Sequence, residues 1–187
     1  MNTLQTDEQK LIQGCLNSEP WAQKEIYELY APTMMSVCIR YVNNRETARD
    51  LLQDGFIKLF TKIDTYSGLG SLPGWIHRIF VTTALEHLRR NDALKQSENL
   101  DEHNSYIEDY EVTSIEKISA DDILACITQL PTGYRTVFNL YAIEGYSHFE
   151  IANILNISEN TSRSQFMRAR KILQKHILSL TGYDHAR

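Results

Sequence analysis

The sequence predicts an all-α protein of two small helical domains joined by a flexible acidic linker. Three observations carry that prediction. Helix breakers are scarce, with 4 Pro and 8 Gly among 187 residues. Apolar residues recur three and four apart through long stretches, the spacing of one helix face, and no stretch alternates convincingly as a half-buried strand would. Between two such regions the periodicity fades and acids accumulate in SENLDEHNSYIEDYE. Too little apolar area lies there to offset the entropy of ordering the backbone, so a linker is expected.

The first helix is expected over residues 7–16, with Leu11, Ile12, Cys15 and Leu16 on one side. Asn17-Ser18 then offers a stop and a fresh N-cap before Glu19-Pro20, because Ser accepts from free backbone N–H groups and Pro suits a first turn. A second helix over 21–42 carries Ile26, Leu29, Tyr30, Met34, Val37, Cys38 and Tyr41, with Pro32 expected to kink or divide it. A third, over 45–66, buries Ala48, Leu51, Leu52, Phe56, Leu59, Phe60 and Ile63 and leaves Asp50, Gln53, Asp54 and Lys58 more exposed. The turn formers of 67–73 make a loop. Pro73 suits the opening of a fourth helix over 74–90, carrying Trp75, Ile79, Leu85 and Leu88. These four helices make one bundle, placed in a domain of residues 5–91. The linker takes 92–119.

The second domain, 120–180, opens with a helix through Ile123, Leu124, Ile127 and Leu130 that stops at Pro131. A further helix over 132–144 is ended by Gly145 in a left-handed cap. Then comes the most specific segment, SHFEIANILNISENTSRSQFMRARKIL, which reads as a helix-turn-helix. Ser147 and Glu150 form a capping box for a helix carrying Ile151, Ala152 and Leu155 inward. Asn156-Ile157-Ser158 is a three-residue turn: Asn tolerates a left-handed backbone, Ile157 plugs the core, and Ser158 caps the next helix. On that helix Phe166, Ala169 and Leu173 face inward, whereas Asn160, Arg163, Ser164, Met167, Arg168 and Lys171 face out. Such a basic, polar face fits a DNA major groove, with Arg reading a guanine edge and Asn and Ser touching other bases. Arg170 and Lys175 are better placed for backbone phosphates.

Charge supports this division. The whole chain is −5, but residues 1–91 hold 10 Lys and Arg against 10 Asp and Glu, residues 92–122 hold 2 against 10, and residues 123–187 hold 7 against 4. An acidic middle therefore masks a basic C-terminal third. No 18-residue apolar run suggests a membrane span, and MNTLQTDEQK lacks the basic-then-apolar pattern of a secretory leader, so a cytoplasmic protein is expected. Cys15, Cys38 and Cys126 have neither disulfide-framework nor CxxC spacing and read as small buried hydrophobes.

GYSHFEIANILNISENTSRSQFMRARKIL resembles region 4 of the bacterial RNA polymerase sigma factors, and DLLQDGFIKLF with GWIHRIFVTTALEHLRR resembles their region 2. The match is to the compact extracytoplasmic-function group, across about residues 5 to 180. The resemblance implies a promoter-specificity subunit, with no catalytic residue, metal or cofactor. It implies that Asp50, Leu51, Gln53 and Asp54 dock on the clamp helices of the largest subunit of core RNA polymerase. It assigns the minus-10 element and its non-template single strand to Tyr66, Ser67, Gly68, Trp75, Arg78 and Thr82. The minus-35 duplex falls to Ser158, Asn160, Thr161, Arg163, Ser164, Met167, Arg168 and Lys171. An anti-sigma factor is a further implied partner, and the acidic linker is expected near the active-site cleft and RNA exit path.

The aromatics near the loop, Tyr66, Trp75 and Phe80, have the chemistry to wedge or stack, although Trp75 and Phe80 taken singly fit a core better than a DNA contact. Three positions depart from the family pattern. Thr82 stands where many relatives have a base-contacting Asn, Ser162 where a buried Val is usual, and Asn156 in place of a turn Gly. Ser162 is expected to loosen the recognition helix against its partner. Three other functions compete: a stand-alone helix-turn-helix regulator with an N-terminal dimerising or sensing bundle, an adaptor that kept the fold without promoter activity, and a helical metal-dependent hydrolase. The last has little support, because His77, His87, His103, His148, His176 and His185 make no HExxH or other helical ligand pair.

Overall fold

The computed structural model describes residues 3–90 and 118–180, and every regular element among them is helical. The expected linker lies outside the described residues except for Ile118 and Ser119. Contacts divide the chain into two compact units between His87 and Leu88.

The first unit is built on α1 (Thr3–Leu16), α2 (Pro20–Val42), α3 (Arg45–Thr61) and α4 (Leu72–Arg90). The stop after α1 falls at Asn17-Ser18, but Ser18 is left-handed (φ 58) and Glu19 takes the N-cap position ahead of Pro20. Pro32 does not divide α2: it sits on the exposed side, while Ile26, Met34, Val37, Cys38 and Tyr41 anchor both halves of the helix in the core. Asn43, left-handed at φ 52, ends α2, and the Asn44 side chain accepts from the Thr47 amide at 2.9 Å to open α3. The third helix stops at Thr61 rather than 66, giving way to a short 3-10 turn, Ile63–Thr65, whose tighter path still buries Ile63. α4 begins two residues earlier than expected, at buried Leu72.

Its inward face also differs from the expected one. Leu72, Ile76, Phe80, Ala84 and Leu88 are buried at four-residue spacing, while Trp75 and Ile79 lie half-buried on the flank. Adjacent apolar pairs at 75–76 and 79–80 offer two stripes about 100° apart on a helix. The partner helix decides between them. A Cβ at Gly55 of α3 would lie 2.3 Å from the Phe80 ring, so only Gly leaves the notch that this ring fills. Phe80 meets Phe56 edge-on at 5.1 Å, and Lys58 closes α3 onto α4 through Glu86 at 2.6 Å.

The second unit comprises α5 (Ala120–Thr128), α6 (Thr132–Phe138), α7 (His148–Leu155) and α8 (Glu159–Leu180). Ser119 and Asp122 form a capping box at the start of α5. Buried Arg135 reaches back and donates from Nη1 to the carbonyls of Thr128 and Leu130 at 3.0 and 2.9 Å, satisfying acceptors that the end of α5 leaves open. The expected helix over 132–144 appears as α6 continued by a wider π turn, Asn139–Ile143, with the Glu144 amide on the Asn139 carbonyl at 2.9 Å. Gly145 follows at φ 79. Cys126, Ile127, Leu130, Tyr134, Ala169 and Leu173 form a core that fixes α8 against α5 and α6. All three cysteines are free and buried, and burial pushes the Cys38 thiol up to about 12, which leaves it inert as a nucleophile.

Candidate nucleic-acid interface

α7, the turn and α8 form a capped two-helix corner. Ser147 Oγ accepts from the Glu150 amide at 3.2 Å, and the Glu150 carboxylate accepts from the Ser147 amide at 2.8 Å. That backbone bond, with the Ser147 hydroxyl second, holds the Glu150 carboxyl below its usual range. Asn156 adopts φ 56 and ψ 48, the left-handed conformation that the turn requires. Ile157 is half-buried. Ser158 Oγ accepts from the Thr161 amide at 2.9 Å and lies 2.8 Å from the Thr161 hydroxyl. Two side chains of the expected contact set, Ser158 and Thr161, are thus occupied in opening α8.

The rest of that set shares one side of α8. Asn160, Arg163, Ser164, Met167 and Arg168 are exposed and Lys171 is half-buried, whereas Ser162, Gln165, Ala169 and Leu173 are buried. Arg163 pairs with Glu159 one turn back, an exposed contact of about 0–1 kcal/mol that costs little to exchange for a ligand. Arg168 donates to the Tyr134 hydroxyl at 3.3 Å, which steadies its guanidinium against α6. Ser162 is fully buried, with its Oγ 2.9 Å from Nδ1 of buried His148. The hydroxyl expected to loosen the helix therefore has a polar partner across the α7–α8 contact.

The loop before α4 has a separate geometry. Gly68 and Gly70 take φ 74 and 91, leaving Leu69 at the tip 87% exposed. The Tyr66 hydroxyl donates to the Gly70 carbonyl at 2.9 Å, and its ring stands 5.4 Å from that of Trp75. Loss of solvent and then the charge of Glu8 raise the Tyr66 hydroxyl above its usual range, so it remains a donor. Ser67 is exposed. Arg78 and Thr82 are exposed at spacings of three and seven from half-buried Trp75, which puts all three on one side of α4. Thr82 Oγ1 donates to the Arg78 carbonyl at 2.8 Å, so toward a ligand this hydroxyl is chiefly an acceptor. Phe80, by contrast, is wholly buried and belongs to the core.

On α3, Asp50, Gln53 and Asp54 are exposed together. Leu51 is not part of that surface; at 2% exposure its side chain packs in the bundle. Ile57, at i+3 and i+4 from Asp54 and Gln53, is 64% exposed and places an apolar group on the same side. Sequence reasoning missed Ile57 and Leu69, though each left a signal: an apolar residue off the buried stripe, and one flanked by two loop glycines. Among the described residues no cluster of His, Cys, Asp and Glu fits a metal ion, and no helix is long and apolar enough to cross a membrane.

Comparison with known proteins accounts for both units. Residues 26–94 match sigma-70 region 2, and residues 120–173 match sigma-70 region 4. The RNA polymerase sigma-H factor of Pseudomonas aeruginosa is 27% identical over 186 residues, covering 94% of this chain and 96% of its own. The extracytoplasmic-function factor SigW of Bacillus subtilis is 26% identical, with coverage of 91% and 97%. The extracytoplasmic-function sigma-E factor of Haemophilus influenzae is 26% identical, with coverage of 94% and 98%. With region 2 followed by region 4 along nearly the full length of such relatives, the chain belongs to the extracytoplasmic-function group of bacterial RNA polymerase sigma factors.

Proposed function

We propose how the work of a sigma factor is shared among these residues. Membership of the family makes the chain a transcription-initiation factor, and factors of this kind are not enzymes. In our reading it catalyses nothing itself and works in the cytoplasm. Asp50, Gln53, Asp54 and Ile57 dock on the clamp helices of core RNA polymerase, where exposed carboxylates and an adjoining apolar group suit a basic coiled coil. Tyr66, Ser67, Gly68, Trp75, Arg78 and Thr82 receive the minus-10 element. Base stacking worth about 1–3 kcal/mol offsets the few kcal/mol that extruding a base costs, so binding alone can hold an open strand. An anti-sigma protein that covers these surfaces is a further partner in this reading.

The observation that carries most is α8 itself, capped at Ser158, packed on one side, and exposing Asn160, Arg163, Ser164, Met167 and Arg168 on the other. That is the form of a major-groove reader for the minus-35 duplex. Its test is Arg163→Ala in the polymerase holoenzyme, scored on a promoter library. If Arg163 reads a base edge with two bonds, the variant loses about 1–3 kcal/mol at the matched sequence and discriminates less at one position. A uniform loss across all sequences would make it a phosphate contact and remove it from the reading set.

A further inference from the structure

Three elements meet around the His148 side chain, which is 9% exposed. Tyr141 of the π turn stacks on the imidazole at 4.2 Å with 10° between the planes. Phe166 of α8 approaches at 5.8 Å and 61°. Ser162, also on α8 and fully buried, places Oγ 2.9 Å from Nδ1. Burial disfavours a charged imidazole here more than a neutral one, while Nδ1 has a polar partner in Ser162 and the ring stacks on Tyr141. An apolar residue at 162 would leave that buried nitrogen without its partner, so the two positions form a matched pair.

We propose that His148 is a positioning residue for promoter reading: in its neutral form it holds Ser162, and with it α8, at the angle that meets the major groove, and protonation loosens that grip. The inference rests on the reading of α8 as the duplex reader.

The charges around the ring set the direction. From α8, Arg163 opposes a positive imidazole and Glu159 favours one; from the π turn, Tyr141 is the titratable neighbour; on α7 itself, Glu150 is engaged by Ser147. Burial acts first and Arg163 second to hold the imidazole below its ordinary value, with Glu159 opposing. Above about pH 6.5 the ring is neutral whether or not the corner is formed, and the full stability is present. As pH falls below that, the unfolded corner takes the proton first, so stability is lost on the way down to the folded value. Weaker minus-35 reading is therefore expected on the acid side.

The test compares holoenzyme initiation from a promoter with an intact minus-35 element and one with that element scrambled, in the same mixture, between about pH 7.5 and pH 5.8. The ratio should fall severalfold on acidification with the unsubstituted chain. It should stay nearly flat with His148→Gln, which is polar but carries no charge at either pH. An unchanged ratio in the unsubstituted chain, or an equal fall in His148→Gln, overturns the inference. If His148→Gln does not fold, an NMR titration of the unsubstituted chain decides. A His148 midpoint below the ordinary imidazole value, with the fall in the promoter ratio following that titration, supports the inference; a midpoint at or above it, or a ratio that falls in a different pH range, overturns it. A ratio of one at every pH would instead overturn the reading of α8, and this inference with it.

Discussion

Reversing two charges at once, Asp50→Lys with Asp54→Lys, is expected to weaken association with core RNA polymerase by about a thousandfold. The two carboxylates stand one turn apart on the exposed side of α3, beside Gln53 and exposed Ile57. Against a basic partner the substitution removes two attractions and installs two repulsions. Like charges brought together at an interface cost several kcal/mol, and about 4 kcal/mol corresponds to that thousandfold. Both positions are exposed, so stability should change by no more than about 0.5 kcal/mol. A binding titration by fluorescence anisotropy, paired with a denaturation curve, separates the two effects. Near-native affinity in the double variant would move the docking surface away from α3.

Phe80→Ala is expected to destabilise the first unit by about 3–5 kcal/mol, the usual cost of emptying a fully buried aromatic site. The site has little means of collapsing. Its floor is Gly55, which has no side chain to swing in, and Phe56 is already held at 5.1 Å from the ring. Urea denaturation followed separately in each unit should show the transition of the first moving to lower denaturant while that of the second stays. This result would also distinguish the two roles that sequence left open for Phe80. A stacking residue would leave stability intact and impair only promoter opening.

The helical pattern was legible wherever a segment could satisfy itself locally. The Ser147 box, the left-handed Asn156 and the Ser158 cap are set by residues within four positions of one another, and each takes its expected form. The exposed side of α8 follows from the same arithmetic. What sequence could not settle depends on a second element. The rotation of α4 hinges on a notch at Gly55, twenty-five residues before Phe80. Ser162 read as a flaw because its remedy, His148, lies fourteen residues back in a different helix. Periodicity reports one helix at a time, and these cases are all pairings of two.

In the proposed function the acidic side of α3 and the polar side of α8 serve one task, bringing core polymerase to a promoter. The most direct test mixes the purified full-length chain with core RNA polymerase and a promoter library and sequences the transcripts. Starts are expected at a subset of templates sharing two elements, absent with core alone, lost with the Asp50→Lys, Asp54→Lys pair, and altered in minus-35 preference by Arg163→Ala. Transcripts no different from those of core alone would contradict it.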